Sequence, residues 1–346
     1  MASITPALRV ACVIAISPNL YWLSHQYSLG ELYCFVAILA SPSCLGLGKT
    51  QETGKVQAMT EYSSRQGWGN GLIGVLIFSG SLPATRVAVS GFDPLFLTSV
   101  RAVIAALLGS ALLVILKQSR PDRRDLPSLG IVALGVVVGF PLLTALALQY
   151  ITAGHSIVFI GLLPLSTAIF GVLRGGERPK PMFWLFSCVG GLAVALYALS
   201  QNAEMSLQGD LMMVAAIVAC GLGYAEGATL SRRLGGWQVI SWALVLALPV
   251  MSVVAVATWP DSWSGISTAA WLSLGYVSVF SMLVGFVFWY RGLALGGIAG
   301  VGQLQLLQPF FGLILAAALL AETIAPAMVA VTLFVVTCVV GAKRFS

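Results

Sequence analysis

Charge is scarce in this sequence. Only 9% of its residues are Asp, Glu, Lys or Arg, against roughly 25% in an ordinary globular protein. That leaves too little polar surface to coat a water-soluble particle of 346 residues. Histidine is scarcer still, with two in the whole chain, so no zinc signature can be assembled. The six cysteines (Cys12, Cys34, Cys44, Cys188, Cys220 and Cys338) show no paired spacing and lie in or beside apolar stretches. They read as small lipid-compatible side chains. HExxH, GxSxG and paired intramembrane aspartates, which an intramembrane protease or acyl transferase needs, are all missing. Gly48-Lys49-Thr50 resembles the end of a phosphate-binding loop, but Ser43 stands where the motif needs glycine and no strand precedes it.

What is abundant is long apolar runs. The chain is 58% hydrophobic with a mean hydropathy of +0.95, which marks an integral membrane protein. A span takes about 20 apolar residues. The runs and their breakers predict ten helices after residue 66: 70–88, 94–116, 127–149, 156–173, 181–199, 209–230, 237–258, 269–290, 298–320 and 324–342. Connections are then short, and no large soluble domain has room. The runs are too continuously apolar for a membrane barrel, so the fold class is all-α.

Basic residues favour cytoplasmic loops. With the segment before the first helix inside, fourteen fall there: Lys55, Arg65, Lys117, Arg120, Arg123, Arg124, Arg174, Arg178, Lys180, Arg232, Arg233, Arg291, Lys343 and Arg344. Only Arg86 lies near an outside loop, and the outside loops carry Asp93, Glu204, Asp261 and Glu322. Both ends of the ten-helix body are therefore expected in the cytoplasm. The positive charge does not indicate nucleic acid, because it is scattered in small groups between apolar runs.

Residues 1–66 stand apart. The stretches 7–23 and 33–48 are apolar but short, each interrupted by proline, and no convincing cleavage site follows. One reading makes them an extra apolar hairpin, which leaves the orientation of the body unchanged. In the other, Met59 precedes the first good helix, and the functional protein is expected to begin near it, with the preceding residues dispensable.

The chain also repeats itself. Pro164, Glu177 and Pro181 match Pro309, Glu322 and Pro326 at one separation of 145 residues, and Leu148/Leu293 and Leu162/Leu307 keep it. Phe92 aligns with Trp237 at that offset. The expected division is 67–200 and 201–346, five helices each. An odd number gives the halves opposite orientation, a hallmark of secondary transporters. The stretch Leu146–Gly190, with ALQYITAG, LLPLSTAIFG and GERPKP, and its partner Leu293–Pro326, with LALGGIAG, LLQPFFGLILA and AETIAP, resemble the two EamA-type repeats of the drug/metabolite transporter superfamily. The Pro94…Arg101 pattern looks like that family too. The resemblance covers about 67–345. It implies a ten-helix fold and export, or sometimes exchange or uptake, of small polar metabolites such as amino acids, or of toxic compounds.

A carrier needs polar groups at membrane depth, where each costs several kcal/mol unless paired or watered. Arg101 sits about two turns inside the second helix. It either neutralises a substrate carboxylate or pairs with Asp93 or a carbonyl, or snorkels outward. Gln303, Gln305 and Gln308 precede Pro309, which frees a carbonyl at Gln305. In an α-helix Gln305 and Gln308 share a face, and Gln303 lies 200° from Gln305 at about 100° per residue. These amides suit an amino-acid-like ligand or hydrogen bonds between helices. Ser156, Phe159 and Pro164 form the matching wall on the fourth helix. Tyr224 and Glu226 lie near the end of the sixth. Glu226 is the candidate proton-coupling group, or the partner of Arg232 or Arg233. Trp242, Tyr276, Trp289 and Tyr290 line a cavity or anchor at the interface; beside Arg291, the last two look like anchors. Glu177 and Glu322 sit at helix junctions, where a carboxylate meets the positive end of the following helix. His155 reads as a lone interfacial histidine.

These readings converge on a multi-pass carrier of the bacterial inner membrane, most readily an exporter working by alternating access. The cavity is expected between the repeats, walled by the first, third, fourth, sixth, eighth and ninth helices, with bending at Pro164 and Pro309. Uptake or exchange, a channel, a non-transporting scaffold and an intramembrane enzyme are the alternatives. No catalytic residue, metal or cofactor is expected. The expected partners are a small-molecule substrate and the lipid bilayer, with no nucleic acid, and the chain is a monomer or homodimer.

Overall fold

The computed structural model describes residues 52–151, 156, 159–200, 206–312, 314 and 326–346. Most of the amino-terminal segment, His155, Glu204 and Glu322 lie outside the described residues. Residues Glu52–Ser346 form one compact unit, and every regular element among the described residues is helical.

Six stretches are long and apolar enough to cross a membrane: Ser63–Val89, Pro94–Ile115, Leu126–Ala147, Leu207–Leu234, Gly236–Ala257 and Thr268–Gly296. Leu163–Gly175 and Pro181–Tyr197 are shorter apolar helices. The chain is thus a multi-pass membrane protein. Leucines and valines such as Leu107, Val114, Leu134, Leu173 and Val253 face outward, as a lipid-facing surface requires.

Local chemistry sets where the helices begin and break. The first span is α1 (Glu52–Ser79) and α2 (Ser81–Val89), parted at Gly80. There the Tyr276 hydroxyl would lie 2.5 Å from any added Cβ and donates to the Ile77 carbonyl at 2.6 Å. Next, α3 (Pro94–Ile115) opens with Pro94 in its first turn, and the Asp93 carboxylate accepts from the backbone N–H of Leu95 and Phe96. The third span holds α4 (Leu126–Val132), a π-helical segment (Ala133–Gly139) and α5 (Phe140–Ala147).

A turn at Gly161–Leu162 precedes α6 (Leu163–Gly175). Pro164 therefore occupies the opening turn of a helix, where its missing N–H costs nothing, and not the middle of a continuous 156–173 helix. Gly176, at φ 68°, closes α6 in the left-handed conformation. Then follow α7 (Pro181–Leu199), α8 (Leu207–Leu234) and α9 (Gly236–Ala257). The eighth expected span holds α10 (Thr268–Tyr276), a second π segment (Val277–Val284) and α11 (Gly285–Gly296). After Gly297 come α12 (Ile298–Gly302) and a 3-10 segment (Gln303–Leu307), and α13 (Pro326–Phe345) ends the chain.

The two π segments correspond. The wide turn closes with Phe140 N–H to the Gly135 carbonyl in one, and Gly285 N–H to the Phe280 carbonyl in the other. Both donor and acceptor are 145 residues apart.

Glycines bring backbones together where helices cross. Gly67 and Gly71 of α1 face Gly292 and Gly296 of α11, and a Cβ on Gly292 would lie 2.6 Å from the Gly71 nitrogen. This is a pair of GxxxG faces, which let membrane helices approach closely. Gly109 of α3 meets Ser241 of α9 in the same way. At one end of the α3/α9 pair, Phe92, Phe96, Trp259, Trp263 and Trp271 stack edge to face or in parallel at 4.9–5.9 Å. The loops at the other end carry the basic residues.

Candidate functional site

The 3-10 segment carries two amides into the interior. Pro309 has no N–H to give the Gln305 carbonyl; Gln308 N–H bonds it instead, an i→i+3 closure that tightens the turn. The segment carries Gln303 and Gln305 into the core, both at 0% exposure. Neither the nitrogen nor the oxygen of either amide has a hydrogen-bond partner, and the Trp289 Nε1, on another fully buried residue, has none. Leaving such a group unsatisfied costs about 1–3 kcal/mol, so these unpaired groups stand out among the described residues.

Aromatic rings surround Trp289. Tyr224 packs against Trp289 at 5.4 Å and Phe286 at 6.0 Å, and Phe78 meets Phe286 at 5.1 Å and Trp289 at 6.2 Å. The Tyr224 hydroxyl interacts with Cys220, Tyr290 and Gln305, approaching Gln305 without closing a hydrogen bond to it. Tyr290 donates to the Gly223 carbonyl at 3.2 Å, and Gln308 reaches the Phe78 carbonyl at 3.4 Å. Structure therefore brings Tyr224, Gln305 and Gln308 to one region. It adds Trp289, which sequence placed elsewhere; Gln303, two residues before Gln305 on the 3-10 turn, lies on a different side of it. Trp289 and Tyr290 are fully buried, which corrects their reading as interfacial anchors: Gly71, Gly74 and Gly227 leave the space that draws their rings inward.

Arg101 forms a second polar spot. It is 8% exposed and its Nη2 donates to the Ser281 hydroxyl at 3.3 Å, while Nε has no partner. Ser281 lies in the second π segment and also accepts from Ser81 at 2.7 Å. Arg101 thus neither snorkels nor pairs with Asp93, whose Oδ1 is committed to capping its own helix. Ser156 is fully buried and Phe159 partly so.

The third group lies at the end carrying the basic loops. Glu226 on α8 is held in a two-pronged pair by Arg174 of α6, Nε to Oε2 at 2.9 Å and Nη2 to Oε1 at 2.6 Å, with Ser128 of α4 adding a bond at 2.8 Å. Its cation comes from another helix and not from the neighbouring Arg232 or Arg233. Those two bind Glu177 (3.1 Å) and Asp125 respectively. Glu177 also accepts from the N–H groups of Ile298 and Ala299 at 2.6 and 2.7 Å. It therefore caps α12, and not the helix that follows it in sequence. Trp242 belongs to this end as well, in a separate cleft of ≈150 Å³ with Gln118, Asp125 and Gln238. Among the described residues no cluster of His, Cys, Asp and Glu is placed to hold a metal.

The sequence model of the EamA-like transporter family matches residues 67–199 and again 207–342. The "uncharacterized transporter YdeK" of Bacillus subtilis is 67% identical over 280 residues, 81% of this chain and 98% of that protein. A "probable terminal-alkyne amino-acid exporter" of Streptantibioticus cattleyicolor is 24% identical over 73% of this chain and 84% of its own length. A solved crystal structure superposes with a TM-score of 0.69, covering 81% of this chain and 99% of the other at 16% identity. That likeness concerns the fold.

Proposed function

The chain belongs to the EamA-like transporter family, and from that premise we propose that it is a secondary carrier of the inner membrane. In this reading it exports small polar, amino-acid-like metabolites or toxic compounds by alternating access. Ten helices form two inverted five-helix repeats, with both ends of the body in the cytoplasm. Two matches to one family model and the paired π segments, 145 residues apart, support the repeat. The Streptantibioticus relative, a "probable terminal-alkyne amino-acid exporter", supports export of amino-acid-like solutes.

The observation that carries the site is the pair of residues with unpaired buried groups, Gln305 and Trp289, which meet around Tyr224. A solute with its own donors and acceptors satisfies them, while Tyr224, Phe286 and Phe78 supply an apolar wall. This is the combination expected of a small-molecule site. The pairs Arg174–Glu226, Arg232–Glu177 and Arg233–Asp125 tie α4, α6, α8 and α12 together at one end. They act as the gate that parts when the halves rock. Glu226 is the proton-coupling candidate because protonation would release Arg174.

Untargeted metabolite profiling of culture medium tests the reading, comparing cells making the full chain, the Gln305→Ala variant and neither. A compound that accumulates outside only with the intact chain identifies the substrate and supports the site. Equal accumulation with Gln305→Ala removes the site assignment and leaves export standing. Identical profiles in all three reject export.

A further inference from the structure

Arg101 is the eighth residue of α3, about 11 Å along the axis from Pro94 at 1.5 Å per residue. A guanidinium at that depth is costly unless something balances it. Among the described residues no carboxylate pairs with it: its bonded partner is the neutral Ser281 hydroxyl, and none of the ion pairs includes it. Donors exceed acceptors at this spot. Arginine has five N–H groups, of which Nε–H is free. The Ser281 oxygen already accepts twice, from Arg101 and Ser81, so its own hydroxyl hydrogen points elsewhere.

The spot is also tied to the amide cluster. Gln308 bonds the Phe78 carbonyl, and Ser81, three residues on, bonds Ser281. The interrupted stretch of α1 and α2 around Gly80 thus places Ser281, the partner of Arg101, and Gln308 about one helical turn apart.

Resting on the carrier reading, we propose that Arg101 and Ser281 receive a carboxylate of the transported solute, which makes the solute an acid or zwitterion and not a cationic or neutral drug. The carboxylate takes the free Nε–H and the Ser281 hydroxyl hydrogen. Its remaining polar end meets Gln305 and Gln308.

Thermal unfolding of the detergent-purified full chain, followed by tryptophan fluorescence, tests this with α-amino acids and aliphatic and aromatic carboxylic acids, each beside its carboxamide. Acids are expected to raise the unfolding temperature and their carboxamides to leave it unchanged. Arg101→Gln should weaken the acid response by roughly tenfold or more, the effect of losing a charge-assisted hydrogen bond, and Arg101→Lys should recover part of it. Ser281→Ala, which keeps the guanidinium, should weaken it less and serves if Arg101→Gln fails to fold. Equal stabilisation by carboxamides, an undiminished acid response in both Arg101→Gln and Ser281→Ala, or a flat response to every acid overturns the proposal. The medium profiles report export independently of charge preference, so failure here leaves the carrier reading separately decidable.

Discussion

At Gln305 a buried amide oxygen and nitrogen both go unsatisfied in a fully enclosed position. A structural glutamine would lose stability when replaced by leucine. A glutamine kept for a ligand should behave in the opposite way. Gln305→Leu is expected to stabilise the purified protein by about 1–3 kcal/mol, the penalty of the unpaired group, while export falls; thermal unfolding and medium profiling check the two halves of that expectation. Arg174 and Glu226 give a contrasting case, since the Glu226 side chain is 5% exposed and Arg174 47%. Arg174→Ala leaves a carboxylate buried and should cost about 1–3 kcal/mol. Glu226→Ala leaves only a half-exposed cation and should cost less. A double variant milder than Arg174→Ala alone would confirm that the stranded carboxylate is the source of the cost. Sequence exposes Gln305, Tyr224, Arg101 and Glu226 because each is polar inside an apolar run. It does not expose their partners: Arg174 is 52 residues from Glu226, and nothing local distinguishes it from Arg232 or Arg233.

At the scale of elements, the six long spans are visible as apolar runs because a bilayer demands about 20 such residues. The interruptions are not, because hydropathy carries no hydrogen-bond register. The π segments add a residue to the turn without altering the apolar character of 127–149 or 269–290. The 3-10 segment also shifts Gln303 from 200° to about 240° around from Gln305, at three residues per turn, so the two amides still leave the segment on different sides. Close crossings give the sharper test. Gly292→Ala places a methyl against the backbone of Gly71 and Gly67, which cannot swing aside as a side chain would, and is expected to cost about 1–3 kcal/mol by overpacking. Gly275→Ala, where an added Cβ meets nothing within 4 Å, is expected to be neutral or stabilising. Parallel unfolding curves of the two variants check this.

For the molecule as a whole, the end with the basic loops and the end with the aromatic stack are fastened by different chemistry. Ion pairs and a carboxylate cap hold the end with the basic loops, and the five-ring aromatic stack holds the other. In a variant keeping only Cys220, which is fully buried, combining Asp125→Asn with Glu226→Gln should raise the rate of maleimide labelling several-fold from the charged end; an unchanged rate would show that these pairs do not close the path. The imbalance of basic loops predicts where such charges gather, but their matching across helices emerges only in three dimensions. The two fastenings also respond to different features of the surroundings. Screening shortens the reach of exposed charges as ionic strength rises, whereas apolar contact weakens on cooling. Salt and temperature are therefore independent controls: concentrated salt at ordinary temperature loosens one end, and chilling in dilute buffer loosens the other.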